Sequence, residues 1–481
     1  MIHAEFRADP DAVLVLTGEG TAPDEVAASG RRASPTGTVS ATGTGWEARI
    51  PLRASRWGGP VLALPSGDYA LLVDGEPVGT VSSVAPTRLP DLTASVVAST
   101  LVVAPPLDPG DVGPAAQGEL VRRYATGAEP LENAVFFESF YGRNASCNPR
   151  AIDAEIARVA PGVVRYWSVV DRSVAVPEGA VAVVEGSTDW WRARGVSRLL
   201  VVNDWLRRRF ARRPGQHVLQ TWHGTPLKRL ALHRPGFAPR RALAVVRESR
   251  RWDVLLAQNP YGARILSTAY AFRRRPLWVE GYPRNDLLVT GDPAPIREAL
   301  GIGADERVLL YAPTWRDDRD QMVDFLDLEK LAEDTGGVVL VRGHSRTLIP
   351  GRDTSGARVV DVTTYPDIAE LLLVADALIT DYSSVMFDFS ATGKPIYFFA
   401  PDLDHYRGEL RGFYFDLAAR APGPIASSQQ ELTDALTDAA VPATYRARYD
   451  DWRARFNARD DGRAAERVVA RIFDQRLLDR E

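Results

Sequence analysis

His223 and His344 each follow a short apolar run, and each has flanking residues suited to an anion. In QTWHGTPLKRL, residues 220–230, a β-like run from His217 to Trp222 ends at His223. Gly224 and Thr225 come next, and Pro226 is placed to start a helix. That puts His223 at a strand-to-helix corner on the carboxyl edge of a parallel sheet, where open α/β sheets bind ligands. An imidazole with its ordinary pKa of about 6.5 serves as a base near neutral pH. A lone histidine is more often a hydrogen-bonded structural residue; the flanks make His223 a candidate base. In VRGHS, residues 341–345, a second strand delivers His344, with Arg342 two residues earlier. Opposed imidazoles with Arg342 and Lys228 nearby suit an anion that has one removable proton close by.

Three more stretches carry candidates. In ALITDYSSVMFDFSATGKPIYF, residues 377–398, a strand leads to Asp381, and Ser383 and Ser384 begin a helix as N-cap residues. Amides at a helix N-terminus with serine hydroxyls suit a pyrophosphate, and Asp388 one turn on is placed to accept from a ribose or glycerol hydroxyl. An ordinary capped helix accounts for the same residues. In LLYAPTWRDD, residues 309–318, Thr314, Trp315 and Arg316 follow a strand, with Arg316 a phosphate contact. Asp317 and Asp318 have no partner carboxylates at ligand spacing, so they read as solvated loop acids and no metal is expected. In GYPRND, residues 281–286, Arg284 and Asn285 are either structural or ligand-facing.

The elements that must position these residues alternate strand and helix. From about Asn133, the runs NAVFFESF, RLLVVND, HVLQTWHG and DVLLAQN alternate with helix-like segments, and RVLLYAPTW begins a second such set. Residues 1–103 read instead as antiparallel β structure: Trp46, Ala48 and Ile50 alternate with polar neighbours, and Asp74-Gly75 marks a hairpin. The expected fold is α/β, a pair of facing doubly wound, Rossmann-like domains preceded by a small β-rich domain. Its parts are the β-rich accessory domain 1–103, a Pro/Gly-rich linker 104–130, Rossmann-like lobes 131–282 and 283–425, and C-terminal helices 426–481.

Bulk properties narrow the function classes. Among 481 residues, 45% are hydrophobic and 25% charged, the balance of an ordinary globular chain. Cys147 is the sole cysteine, which excludes an intrachain disulfide and a cysteine-based zinc cluster. The first residues lack a signal-peptide pattern and no apolar run is long enough to span a bilayer, so a cytoplasmic chain is expected. Arginine runs at 206–213, 239–251 and 272–275 lie in the first lobe of a chain with net charge −4. They suggest a surface for anionic lipid headgroups, hence a peripheral position on the inner membrane face. Nucleic acid is not expected, because no recognisable nucleic-acid module accompanies the runs.

Taken in order, ESFYGRNASCNPRAI, WHGTPLK, GYPRND, LLYAPTWRDD, the histidine after the RGH strand and ITDYSSVMFDF closely resemble the CDP-glycerol glycerophosphotransferase family of teichoic acid and capsule polymerases and primases. The resemblance implies a two-lobed GT-B-like fold, CDP-glycerol binding by the second lobe, and transfer of glycerol phosphate to a polyol-phosphate or lipid-linked acceptor with release of CMP; no cofactor is expected. It implies that His223 takes the acceptor's proton and that His344 stabilises charge on the diphosphate. Gly224, Thr225, Lys228, Arg284, Asn285, Thr314, Trp315, Arg316, Arg342, Asp381, Ser383, Ser384 and Asp388 are the expected substrate-binding set. Three rivals remain at this point: a CDP-ribitol enzyme of the same build, a GT-B sugar transferase releasing a nucleoside diphosphate, and a polyanion-binding scaffold.

Overall fold

A computed structural model describes residues 2–8, 11–127, 129–236, 238–314, 326–343, 355–356, 358–401 and 412–480. They form two compact units, one of residues Met1–Glu132, Phe140–Ala145 and Arg165–Ser197, the other of Asn133–Ser139, Ser146–Val164 and Arg198–Glu481.

The first unit begins with two antiparallel sheets. One orders His3–Arg7, Val13–Glu19, Gly45–Pro51 and Thr38–Ala41; the other places Val84–Arg88, Thr93–Val97, Thr100–Ala104, Gly67–Val73 and Val26–Gly30 side by side. Alternation explains their shared core: Trp46, Ala48 and Ile50 are buried while Arg49 is exposed, and Leu14, Leu71, Val96 and Leu101 pack with them. Asp74 and Gly75, both with positive φ, turn the chain between Val73 and Glu76 as a two-residue hairpin requires. Residues 104–130, expected as a linker, instead contain a 3-10 turn, Pro109–Asp111, and a helix, Pro114–Thr126. The same Pro and Gly that suggested a linker start and stop this helix: Pro114 lies in its first turn and Gly127 ends it in the left-handed conformation.

In the second unit, Glu132–Glu138, Ser197–Val202, His217–Gln220, Val254–Ala257 and Leu277–Val279 lie in that order, the last four in parallel register. A further sheet orders Val359–Asp361, Val338–Val341, Val308–Ala312, Ala377–Thr380, Ile396–Phe399 and Ile425–Ala426, all parallel. Numbered along the chain, these strands run 3-2-1-4-5-6, the doubly wound order whose direction reverses between Val308–Ala312 and Ala377–Thr380. Val338–Val341, Val308–Ala312, Ala377–Thr380 and Ile396–Phe399 are buried on both faces, which is why they read as unbroken apolar runs. The fold is α/β and GT-B-like, with two parallel sheets following an antiparallel β-rich region in the chain.

The C-terminal segment forms the helices Gln429–Thr437, Val441–Thr444, Arg446–Phe456 and Ala464–Asp474. Ser428 and Glu431 make the capping box that SSQQE announces, with the Glu431 carboxylate returning to the Ser427 amide and hydroxyl. Between the last two helices, Asp460 accepts from Gln258 Nε2 and from the amide of Tyr282, and Asn457 donates to the carbonyl of Phe387. The tail therefore binds elements of both parallel sheets.

Candidate functional site

The strand His217–Gln220 ends in a corner whose backbone is held at nearly every polar atom. Trp222 adopts φ +52°, a strained value for a large side chain, and this turns His223 out of the strand direction. Gln220 spans the corner: its Oε1 accepts the Trp222 amide at 2.8 Å and its Nε2 donates to the Asp204 carbonyl at 2.9 Å. Asn148 Nδ2 donates to the carbonyls of Thr221 and Trp222, and Arg284 Nη2 donates to the carbonyl of His223. These bonds fix the corner from two other elements, so His223 cannot swing with a loose loop.

His223 Nδ1 lies 2.6 Å from the Asn203 carbonyl. A carbonyl only accepts, so Nδ1 carries the proton and Nε2 is the basic nitrogen of the neutral ring. The ring stacks on Trp222 with centroids 4.8 Å apart. Burial lowers the His223 pKa from its ordinary value, against the opposing pull of Asp204 and the Asn203 carbonyl. The residue is thus a neutral, oriented imidazole, which is the state a general base needs before reaction.

Beyond His223 the expected helix does not start at Pro226. Residues 224–230 form no helix; an antiparallel bridge joins Lys228 to Phe413, with Arg229 donating to the Gly412 carbonyl and Tyr414 donating to the Leu227 carbonyl. Non-local backbone pairing overrides the local helix signal of Thr-Pro here. Lys228 is carried by this stretch to Thr314, with Nζ 3.2 Å from Oγ1. Thr314 in turn donates its amide to both carboxylate oxygens of Asp381 at 2.9 and 3.0 Å. Thr314 and Asp381 follow the two strands between which the sheet order reverses, so Lys228 stands at the crevice where doubly wound sheets bind nucleotides. Asp381 itself is buried and occupied by backbone amides; it shapes this crevice from behind.

Gly224 brings the corner against the second sheet's serines. A Cβ at Gly224 would stand 2.8 Å from Ser384 Oγ and 3.2 Å from Ser384 Cβ, so glycine allows this approach without displacing the serine or the corner. Ser384 occupies the N-cap position of the helix Val385–Phe389 without a capping bond from its side chain, while Ser383 Oγ accepts weakly from the Val385 amide at 3.5 Å.

Asp388 and Arg284 meet each other. Arg284 Nε and Nη2 donate to the two Asp388 oxygens at 3.3 and 2.7 Å, and both side chains are almost wholly buried. Arg284 Nη1 also donates to Cys147 Sγ at 3.1 Å, and its amide donates to Asn148 Oδ1. Burial works against the charge, yet Asp388 and Cys147 hold the Arg284 pKa above its ordinary value. Asp388, expected to accept from a substrate hydroxyl, is committed in this structure to orienting Arg284.

Three other expected contacts have structural partners or none. Thr225 is buried, donating to Gln258 Oε1 at 2.5 Å and accepting from Asn259 Nδ2. Arg342 donates to the carbonyls of Val362 and Tyr365, and burial pushes its pKa down to about 10. Asn285 is fully buried, and among the described residues neither polar atom of its side-chain amide has a hydrogen-bond partner. Trp315, Arg316 and His344, with the loop acids Asp317 and Asp318, lie outside the described residues. Among the described residues no three metal-ligating side chains converge. The residues missing from the sequence reading are Asn148 and Gln220, whose side-chain amides hold the corner, and Asn203, whose backbone carbonyl orients His223. Asn148 sits within the motif ESFYGRNASCNPRAI, and Asn203 ends the run RLLVVND, which was the available signal.

The comparisons with known proteins agree on one family. The chain is 36% identical over 366 residues to the teichoic acid poly(glycerol phosphate) polymerase of Bacillus subtilis, covering 70% of this chain and 48% of that protein. It is 35% identical over 381 residues to the teichoic acid glycerol-phosphate transferase of Staphylococcus aureus, covering 72% of this chain and 94% of that one. It thus spans about half the length of the first relative and nearly all of the second. A ribitol-phosphate polymerase of Staphylococcus aureus is more distant, at 26% identity over 276 residues. The solved structure of the wall teichoic acid polymerase TagF superposes with a TM-score of 0.67 at 30% identity, covering 76% of this chain and 98% of that chain. Residues 125–474 match the family described as CDP-glycerol:poly(glycerophosphate) glycerophosphotransferase. With that match and these relatives, the chain belongs to the CDP-glycerol:poly(glycerophosphate) glycerophosphotransferase family.

Proposed function

We propose that this protein transfers glycerol phosphate from CDP-glycerol to a hydroxyl of a polyol-phosphate or lipid-linked acceptor, releasing CMP, in the synthesis of a teichoic acid or related polymer. The observation that carries this reading is the neutral His223, oriented by Asn203 and set against Ser384 by Gly224. The acceptor oxygen attacks the β-phosphorus of the donor in line. Its bond to phosphorus forms as the bond from that phosphorus to the bridging oxygen breaks, CMP leaves with that oxygen, and His223 Nε2 takes the acceptor's proton. Lys228, beside Thr314 at the switch crevice, offsets charge on the diphosphate. The family motif assigns the same charge-stabilising work to His344, and Arg316, which follows a strand, is read as a further phosphate contact.

Glycerol is preferred to ribitol as the donor's polyol because the relatives named for ribitol are more distant. The peripheral membrane reading rests on the helix Pro239–Ser249, where Leu243 is 70% exposed and stands between the exposed Arg240 and Arg247. An apolar side chain flanked by arginines suits an anionic lipid surface. No described helix is long and apolar enough to cross a membrane.

The deciding experiment measures CMP release from CDP-glycerol, with CDP-ribitol in parallel, using a glycerol-phosphate-primed lipid acceptor and a His223→Ala control. Acceptor-dependent release from CDP-glycerol, lost in the control, is expected. Release of a nucleoside diphosphate from a sugar donor, or equal activity of the control, would overturn the reading.

A further inference from the structure

The second parallel sheet has another opening, at the amino end of its strands and so away from the His223 corner. Gly393, Pro395 and Ile396, leading into Ile396–Phe399, form one wall of a cavity of about 510 Å³, and Pro422 to Pro424 form a second. The start of the helix Arg446–Phe456 closes it with Tyr445, Tyr449 and Arg453. Prolines and glycines hold the walls in place, and Tyr449 is anchored by its hydroxyl, which donates to the Lys394 carbonyl at 2.5 Å. Nothing in the proposed phosphotransfer uses this cavity.

Its charge is what selects a ligand. The Arg453 guanidinium lies over Gly393, with Nη1 3.6 Å from where a Cβ would stand, and among the described residues it has no carboxylate or carbonyl partner. Arg446 faces the same space and pairs with Asp450 at 3.4 Å, but both are largely exposed, and such pairs contribute little and exchange readily with another anion. Two guanidinium groups in a cavity also lined by tyrosines and prolines match separated phosphates joined by short polyol units: the arginines take phosphate oxygens, and the apolar lining covers the carbon chain.

The geometry points to a second binding site for the phosphodiester-linked polyol chain, which holds a growing acceptor at a point remote from the reacting hydroxyl. This rests on the glycerophosphotransferase reading above. Because the cavity and the His223 corner lie at opposite ends of the sheet, only acceptors long enough to reach both benefit. The consequence is a preference for elongating chains over starting them.

The test uses the full chain with CDP-glycerol and glycerol-phosphate oligomers of increasing length, comparing the native protein with Arg453→Gln and with the Arg446→Gln/Arg453→Gln double variant. The expected result is a KM for long oligomers raised about tenfold in the double variant, with kcat, the KM for CDP-glycerol and the KM for a single-unit acceptor unchanged. In parallel, calorimetric titration without donor should show a long oligomer binding about tenfold more tightly to the native protein than to the double variant, with a single-unit acceptor binding equally to both. A KM change independent of acceptor length, or no change at any length, would overturn the proposal. So would CMP competing with the oligomer for the Arg453 site, since that would make it a nucleotide site. If no acceptor supports CMP release, the phosphotransfer reading fails, while the titration still decides whether the cavity holds the chain.

Discussion

Arg284 grips Asp388 through two nitrogens, at 3.3 and 2.7 Å, and reaches the carbonyl of His223 with one of the same nitrogens at 3.1 Å. One buried guanidinium thereby joins a carboxylate on the helix after the second sheet's fourth strand to the backbone of the candidate base. The pair's value lies in orientation: an ion pair this deep is rarely better for stability than apolar residues of the same shape, whereas removing one partner strands the other charge.

Asp388→Asn and Arg284→Gln are therefore each expected to cost about 3–5 kcal/mol in unfolding free energy. The double variant Arg284→Met/Asp388→Leu should recover most of that stability without recovering turnover, because the His223 carbonyl still lacks its donor. Denaturant unfolding together with CMP release checks this. Recovery of activity with stability would mean that the pair acts only as packing.

His223 has a pKa lowered by burial, and the sign of its effect on rate follows directly. A general base works deprotonated, so a lowered pKa keeps it competent at pH values where an ordinary histidine would be half protonated. The acid limb of kcat/KM is expected to fall below pH 6.5, with activity level above it. His223→Gln should remove that limb and lower kcat by roughly 10²- to 10⁴-fold. An acid limb centred above 6.5 would contradict the burial argument.

Much of this architecture was legible because burial leaves a periodic trace. Continuous apolar runs such as VLLYA and IYFF announced strands covered on both faces, and the alternation around Trp46 announced the antiparallel region. What the sequence did not disclose depends on partners far away along the chain. Residues 224–230 pair with residues near 413, so a local helix signal at Pro226 was outweighed. Thr225 and Arg342 sit beside motif residues, but spacing does not tell which way a side chain leaves a corner; one turns to Gln258 and the other to the Val362 and Tyr365 carbonyls. Asn148 donates its side-chain amide to the carbonyls of Thr221 and Trp222, and Asn203 offers its own backbone carbonyl to His223; a bond whose acceptor is a backbone carbonyl leaves no residue-type signature at the acceptor.

Gly224→Ala tests the close approach of the two sheet edges. The added methyl would meet Ser384 at 2.8 Å, inside contact distance, so the corner or the serine must move. Strain of this kind is worth about 1–3 kcal/mol, and a displacement near 1 Å is enough to lower turnover about 100-fold. Pairing the change with Ser384→Gly removes the obstructing atoms and should restore His223 to its place. If Ser384 contacts only structure, the double variant regains activity; if Ser384 also binds donor, it regains stability while the KM for CDP-glycerol stays high.

Asp460 makes a pH-dependent contribution that can be isolated. Burial pushes its pKa up to about 6, although Asn457, Gln258 and the Tyr282 amide all donate to the carboxylate. In the unfolded chain the group titrates near the ordinary value of about 3.9. Between those two values the folded state holds a proton that the unfolded state has lost, so unfolding free energy falls as pH rises through this window and is level above it. The shift of roughly two units corresponds to about 3 kcal/mol. Asp460→Asn cannot titrate, so the difference in stability between native protein and variant should move in the variant's favour from pH 4 to pH 6 and then stay constant. Because Asp460 ties the C-terminal segment to Gln258 and Tyr282, a folded state already weakened by other substitutions should lose that segment first at the alkaline end of the window, as faster hydrogen exchange in residues 457–474. Stability curves for native protein and variant that run parallel across pH 4–6 would show that the carboxylate is as well solvated in the fold as in the unfolded chain.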